Sequence, residues 1–199
     1  MRRITPFEAL IPEPYVVLGA RLKPLTLGHA ALLLRLGGEC WIDGGSCGLD
    51  ELLVGVAICS SDSFQFFLND LYDGNFSARL EALASQVKTG DVQKEIELFA
   101  RYISEGSEGP TVLFEDTKTT ATRSHAIQSL RVQLMKFFRV PVSEVMDVPL
   151  SVALWDMATL SEINQVGRIW TEEDDKIKEQ ADEFAKKWAE THPTGGANG

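Results

Sequence analysis

The sequence predicts a mainly α-helical protein, a multi-helix globular bundle with eight or nine helices and at most one or two short strands. Three observations support this prediction. Apolar residues recur at intervals of three and four along most of the chain, which is the period of a helix with one buried face. Residues that start helices precede these segments, and Gly or Pro follows them. The 199 residues are 44% hydrophobic and 24% charged, which is typical of a folded globular chain.

Several stretches in the first half of the chain carry helix signals, and one carries a strand signal. Tyr15–Leu22 is the best strand candidate because it partly alternates, although Gly19 weakens it. Thr26 is the predicted N-cap of an apolar helix that ends at Gly37-Gly38, and we expect this helix to be buried. Four further helices are predicted. The first follows Asp50, the second spans Phe64–Tyr72 and the third spans Ala78–Lys88. The fourth follows Asp91 and has its apolar face at Val92, Ile96, Phe99 and Ile103.

The stretch 106–122 separates two predicted lobes. It contains Gly106, Gly109 and Pro110, followed by a polar run, and this composition is typical of a linker or a long exposed loop. The last residues of the chain are Gly-rich, and we expect them to be disordered. The predicted division is therefore an N-terminal helical lobe, a linker, a C-terminal helical lobe and a disordered tail, at residues 1–105, 106–122, 123–191 and 192–199.

The C-terminal lobe carries two helix signals before its last helix. Pro149 suits the first position of the helix that runs to Ile163, and one short helical turn at Ser143–Met146 precedes it. The other predicted helix, Arg123–Arg139, has a single apolar stripe, which is made of Ile127, Leu130, Leu134 and Phe137.

The charge of the chain argues against two classes of partner. The formal net charge is −10, and binding to nucleic acids or to anionic membranes requires an excess of Lys and Arg. Residues 140–157 have the rhythm of a helix-turn-helix, but Leu150–Ile163 contains no Lys, Arg, Asn or Gln with which to contact bases. No stretch is long and apolar enough for a signal peptide or a membrane span. We therefore expect a cytoplasmic protein that binds neither nucleic acid nor membrane.

The cysteines and glycines do not form a recognisable cofactor or metal site. Cys40, Cys47 and Cys59 are odd in number, which predicts free thiols in a reducing compartment. Together with His29 they could supply four zinc ligands, but the gap between the first two does not match a zinc knuckle. The glycines near these cysteines do not match a phosphate-binding loop. We expect no metal and no cofactor.

No catalytic constellation can be assembled from neighbouring residues. His29 lies within a Leu-rich helix and is predicted to be a buried structural histidine, and His125 is predicted to be a solvated or capping residue. We therefore expect a protein that is not an enzyme. The alternative is an enzyme with a scattered site, for which His29, Cys40 and Asp43 are the candidate residues.

The last predicted helix carries the candidate partner-binding residues. Thr171 is its predicted cap, and Glu172–Asp175 place negative charge in its first turn, where the helix dipole favours it. One interpretation is that its apolar stripe packs onto the body of the protein. The other is that it binds another chain, since Trp and Phe are common interface anchors. The residues predicted to bind a partner are Trp170, Ile177, Phe184 and Trp188.

Two segments resemble small bacteriophage tail assembly chaperones. Val142–Leu150 followed by Ala153-Leu154-Trp155 is similar to a prolyl turn that leads into an apolar helix in those proteins. The stretch LKPLTLGHAALLLRLGG, followed by DELLVGVAICS, resembles proteins from phage tail-gene neighbourhoods. The two segments cover roughly half of the chain.

The resemblance implies a non-catalytic protein in the cytoplasm of a bacterial host. Family members keep the long tape-measure protein soluble during tail morphogenesis, so the implied partner is the tape-measure protein or another phage tail protein. An alternative is a structural virion component of the tail or connector. Self-association into a homo-oligomer is left open.

Overall fold

A computed structural model describes residues 14–36, 41, 47–87, 91–113 and 125–191 of the chain. Helices contain 67% of these residues, so the predicted all-α class is confirmed. Among the described residues no helix is both long enough and apolar enough to cross a bilayer. The described helices are α1 (Leu27–Leu36), α2 (Leu49–Cys59), α3 (Phe64–Tyr72), α4 (Asn75–Ala84), α5 (Val92–Gly106), α6 (Ala126–Phe137), a short 3-10 helix (Val145–Asp147), α7 (Leu150–Ile163) and α8 (Glu172–Thr191).

The strands are shorter and more numerous than the sequence predicted. Four strands of two residues form two antiparallel pairs. In the pair formed by β3 (Val112–Leu113) and β4 (Arg168–Ile169), Val112 lies opposite Ile169 and Leu113 lies opposite Arg168. The four strands are β1 (Val16–Val17), β2 (Ala20–Arg21), β3 (Val112–Leu113) and β4 (Arg168–Ile169).

The chain forms two compact units, and the division differs from the predicted lobes. The first unit takes its described residues from Met1–Gly109 and Lys118–Met157, and the second takes them from Pro110–Thr117 and Ala158–Gly199. Helix α6 belongs to the first unit because Leu134 shares a buried cluster with Leu27 at the start of α1. The predicted linker 106–122 is divided as well, because β3 pairs with β4 in the second unit. Residues 114–122 and the predicted tail lie outside the described residues.

The core of the first unit surrounds α2, which is apolar on most of its surface. Its buried residues include Leu52, Val56 and Ile58. The ring of Phe99 on α5 packs edge to face against Trp41, with ring centroids 4.6 Å apart. A Cβ atom at Gly55 would lie 2.7 Å from the Phe99 ring, so the absence of a side chain at Gly55 allows α5 to approach α2.

The predicted strand Tyr15–Leu22 is a tight hairpin. Leu18 and Gly19 form its two-residue turn, with φ values of 49° and 73°, and positive φ at both positions matches the turn that suits the twist of paired strands. The backbone N–H of Leu18 donates to Glu95 Oε2 on α5 at 2.8 Å, and the Tyr15 hydroxyl donates to Glu105 on the same helix. Two acidic side chains therefore hold the hairpin against α5.

A second buried cluster connects the start of α1 with the segment that resembles a helix-turn-helix. Leu27, Leu134, Val145 and Ala153 form this cluster. The backbone N–H of Leu150 donates to the carbonyl of Leu25 at 2.7 Å, and that of Leu27 donates to Val148 at 3.0 Å. Residues 145–153 thus have a structural role in the first unit.

Several predicted helix boundaries differ from the structure by a few residues. Helix α4 begins at Asn75 instead of at the predicted Ala78. Gly74 precedes it as the N-cap residue and has a φ of 78°. Helix α6 ends at Phe137, and Arg139 follows it with a φ of 55°. The N–H groups of Phe138 and Val140 both donate to the carbonyl of Leu134, so the chain folds back over the last turn of the helix.

Candidate partner-binding surface

The start of α8 is organised by the carboxylate of Asp174. One of its oxygens accepts hydrogen bonds from the backbone N–H and the hydroxyl of Thr171, at 2.8 and 2.9 Å. The other oxygen accepts from Arg168 Nη2 at 2.6 Å. The hydrogen bonds from Thr171 contribute most to holding the pKa of Asp174 below its usual value, and the hydrogen bond from Arg168 adds to their effect. Thr171 therefore marks the start of the helix, as predicted, and β4 is tied to it through Arg168.

Trp170 lies in the connection between β4 and α8. Its backbone N–H donates to the Thr111 carbonyl at 2.8 Å, which extends the β3–β4 pairing by one residue. Its indole nitrogen donates to Asp175 Oδ1 at 2.8 Å. Trp170 thus helps to fix the N-terminal end of α8, and it precedes the helix on which the other three predicted partner-binding residues lie.

Ile177, Phe184 and Trp188 form an exposed apolar stripe along α8. Their exposed fractions are 63%, 70% and 53%. Their spacings of seven and four residues place them on one face of a helix, with the exposed Ala181 between the first two. The stripe is therefore on the surface of the chain rather than packed as part of its core. We use the name α8 stripe for Ile177, Ala181, Phe184 and Trp188.

His29 has the structural role that the sequence predicted. Its backbone N–H donates to Thr26 Oγ1 at 3.1 Å, and its Nδ1 accepts from the Thr26 N–H at 3.3 Å. This is the reciprocal arrangement of a capping box, with histidine in place of Glu or Gln. Burial lowers the pKa of His29 to about 4, against the opposing effect of the nearby Asp147 carboxylate. The imidazole is neutral at pH 7, and its Nδ1 is committed to the cap.

The other residues considered for chemistry are also engaged in structure. His125 caps α6, where its Nδ1 accepts from the Ile127 N–H at 3.3 Å. Cys59 is a free thiol in the core, as predicted, and burial raises its pKa to about 12. Cys47 is disulfide-bonded, so the prediction that all three thiols are free is wrong at this position. Cys40 and Asp43, the other two residues of the scattered-site alternative, lie outside the described residues.

The described residues contain no cluster of three or more His, Cys, Asp or Glu side chains that could hold a metal ion. In the first turn of α8, the two oxygens of Asp174 already accept from Thr171 and Arg168. Asp175 accepts from the indole of Trp170. These bonds give Asp174 and Asp175, two of the four acidic residues Glu172–Asp175, roles at the start of α8 and in the connection before it.

One surface was missed by sequence reasoning. Phe137 was predicted to lie on the apolar stripe of its helix, and it is 50% exposed at the end of α6, with Val142 exposed nearby in sequence. Lys136 Nζ lies 4.9 Å from the centroid of the Phe137 ring. Arg139 has a positive φ although it is not a glycine, so the sequence did not predict the left-handed backbone at this position.

Comparison with known protein families, curated proteins and solved structures finds no match to this chain.

Proposed function

We propose that this protein is a non-catalytic bacteriophage assembly protein, a tail assembly chaperone that binds the tape-measure protein during tail morphogenesis. The observation that carries the proposal is the exposed α8 stripe, on a helix that is otherwise strongly charged. Large aromatic side chains contribute much of the binding free energy in protein interfaces, and an amphipathic helix presents them in a row. The resemblance of two segments of the chain to tail assembly chaperones supplies the identity of the partner.

The physical chemistry of α8 suits transient protection of an apolar partner. Twelve of its twenty residues are Asp, Glu or Lys, and these side chains keep the free helix hydrated. A helix in water gains much of its stability from packing of its apolar face, so binding a partner would both bury Phe184 and Trp188 and stabilise the helix. The net charge of −10 favours solubility of the complex.

The proposal is tested by co-expressing the full chain with the tape-measure protein of the same phage and measuring the soluble fraction of the latter. We expect the natural chain to keep the tape-measure protein soluble and to co-purify with it. The variant Phe184→Ser with Trp188→Ser should lose both effects while its own circular dichroism spectrum stays unchanged.

A matched control removes a similar exposed apolar area from the first unit. The variant Phe137→Ser with Val142→Ser changes two side chains that are 50% and 67% exposed. It should retain solubilisation and co-purification. Equal loss in both double variants, or no loss in either, would refute binding through α8.

A further inference from the structure

The charged residues of α8 are arranged unevenly around the α8 stripe. At 3.6 residues per turn, Lys178 lies about a quarter turn to one side of the stripe and Lys187 about a quarter turn to the other. Lys176 lies on the same side as Lys187. Beyond the first turn, the acidic residues lie on the opposite half of the helix, at Glu179, Asp182, Glu183 and Glu190.

The helix as a whole carries a net negative charge, but lysines lie on both sides of the α8 stripe. Glu173 is the acidic residue of the first turn that lies near the stripe, and Asp174 is held by Thr171 and Arg168. Lys176 and Lys178 are exposed, and so are Ile177 and Phe184 of the α8 stripe. Beyond the first turn of α8, the surface that would meet a partner is therefore apolar at its centre and flanked by lysines at both edges, although the whole chain carries a net charge of −10.

We infer that the α8 stripe binds an amphipathic helix of a protein partner whose apolar face is bordered by Asp and Glu on both sides. This inference rests on the proposed function and specifies the chemistry of the partner. Opposite charges that flank a helical interface determine which partners pair, and like charges exclude the wrong ones. A second copy of α8 would bring lysines to an interface that already has lysines at its edges, so self-pairing through this stripe is disfavoured. Nucleic acid is disfavoured by the acidic opposite half of the helix.

The test uses the full chain and two labelled synthetic helical peptides that share one Leu/Ile stripe. One peptide has Glu at both edges of the stripe and the other has Lys, and fluorescence anisotropy reports binding. We expect the Glu-edged peptide to bind about tenfold more tightly at low salt, since a few exposed ion pairs each contribute a small factor. The preference should decrease as the salt concentration rises.

Two variants separate the edges of the stripe from overall charge. Lys178→Glu should reduce or reverse the preference between the peptides. Lys186→Glu changes the charge equally, but Lys186 lies on the opposite half of the helix, so the preference should persist. Circular dichroism confirms that both variants keep the helical content of the natural chain.

The outcomes distinguish this inference from the proposed function. If both peptides bind equally and Phe184→Ser abolishes both, the stripe binds partners without selecting their charge, and only the inference fails. If neither peptide binds, or Phe184→Ser leaves both affinities unchanged, the inference fails together with the role of the stripe. Stronger binding to phosphatidylcholine vesicles than to the Glu-edged peptide would identify a lipid surface instead and would also overturn it.

Discussion

The two units of the chain differ in what they do with apolar side chains. In the first unit, the helices α1, α2 and α5 bury residues such as Leu52, Val56 and Phe99. In the second unit, Ala158 is the one hydrophobic residue that is buried among those described, whereas Ile177 and the two aromatic residues of the α8 stripe are exposed. The comparison separates a unit with a buried apolar core from a unit whose largest apolar side chains on α8 are exposed.

The contacts described in the second unit are mainly polar. The capping of α8 by Asp174 and the Trp170–Asp175 hydrogen bond each join residues a few positions apart, and the β3–β4 pairing joins two short strands that are distant in sequence. Such contacts fix the position of a helix end but contribute little to the burial of apolar area. We therefore expect the second unit to open more readily than the first, as regions with few buried apolar contacts do.

The largest effect is expected in the core of the first unit. Phe99 is fully buried against Trp41 and Gly55. Replacement by Ala should destabilise the chain by about 3–5 kcal/mol, because a large buried aromatic leaves a cavity. Urea denaturation followed by circular dichroism measures the change. A loss below about 1 kcal/mol would show that the helices of the first unit do not share a packed core.

The second effect is a loss of stability in acid, and it also belongs to the first unit. Because the pKa of His29 in the folded chain is about 4, below its ordinary value of about 6.5, the unfolded chain binds more protons between these two values. Stability from this group is therefore present above pH 6.5 and is lost as the pH falls toward 4. The full loss is about 3 kcal/mol.

Urea denaturation at a series of pH values tests this prediction, with His29→Gln as the comparison. The variant should show a smaller decrease in the free energy of unfolding between pH 7 and pH 4.5. His125→Gln is the matched control, because His125 is an exposed cap of α6. If the natural chain and His29→Gln show the same pH dependence, His29 is not buried in a neutral form.

The prediction with the smallest expected effect compares the relief of backbone strain in the two units. Arg139 and Gln165 both follow a helix with positive φ, at 55° and 58°, and a non-glycine residue is strained there. Arg139→Gly in the first unit should raise the free energy of the main unfolding transition by about 0.5 kcal/mol. This value allows for the greater conformational freedom that glycine gives to the unfolded chain. Gln165→Gly in the second unit should change the main transition less. Equal changes would indicate that both units unfold as one.

Much of the fold could be predicted because strong helical periods act locally. The segment that became α5 was found from the spacing of its apolar residues after Asp91, and the segment that became α7 was found from Pro149 at its start. The α8 stripe was found in the same way, since a helical period identifies a face whether or not another element covers it. Period alone does not reveal what covers the face, so the sequence left both interpretations open.

The features that could not be predicted depend on contacts between distant residues or on unusual backbone angles. Gly19 interrupts the strand signal, but nothing marks the neighbouring Leu18 for a positive φ, and the hairpin is stabilised by Glu95 and Glu105 from a distant helix. The assignment of α6 to the first unit depends on Leu134 meeting Leu27. Thr171 was predicted as the cap of α8, which places Trp170 before the helix, but the hydrogen bond from the Trp170 indole to Asp175 could not be predicted.

The central claim is that the α8 stripe is a surface for a partner and not part of a core. The most direct measurement is the free energy of unfolding of the full chain carrying Phe184→Ala and Trp188→Ala, determined by urea denaturation. Substitutions on an exposed surface usually change stability by less than about 0.5 kcal/mol each, so we expect the double variant to unfold nearly as the natural chain does. A loss of about 3–5 kcal/mol for each truncation, as for buried aromatics, would contradict the account.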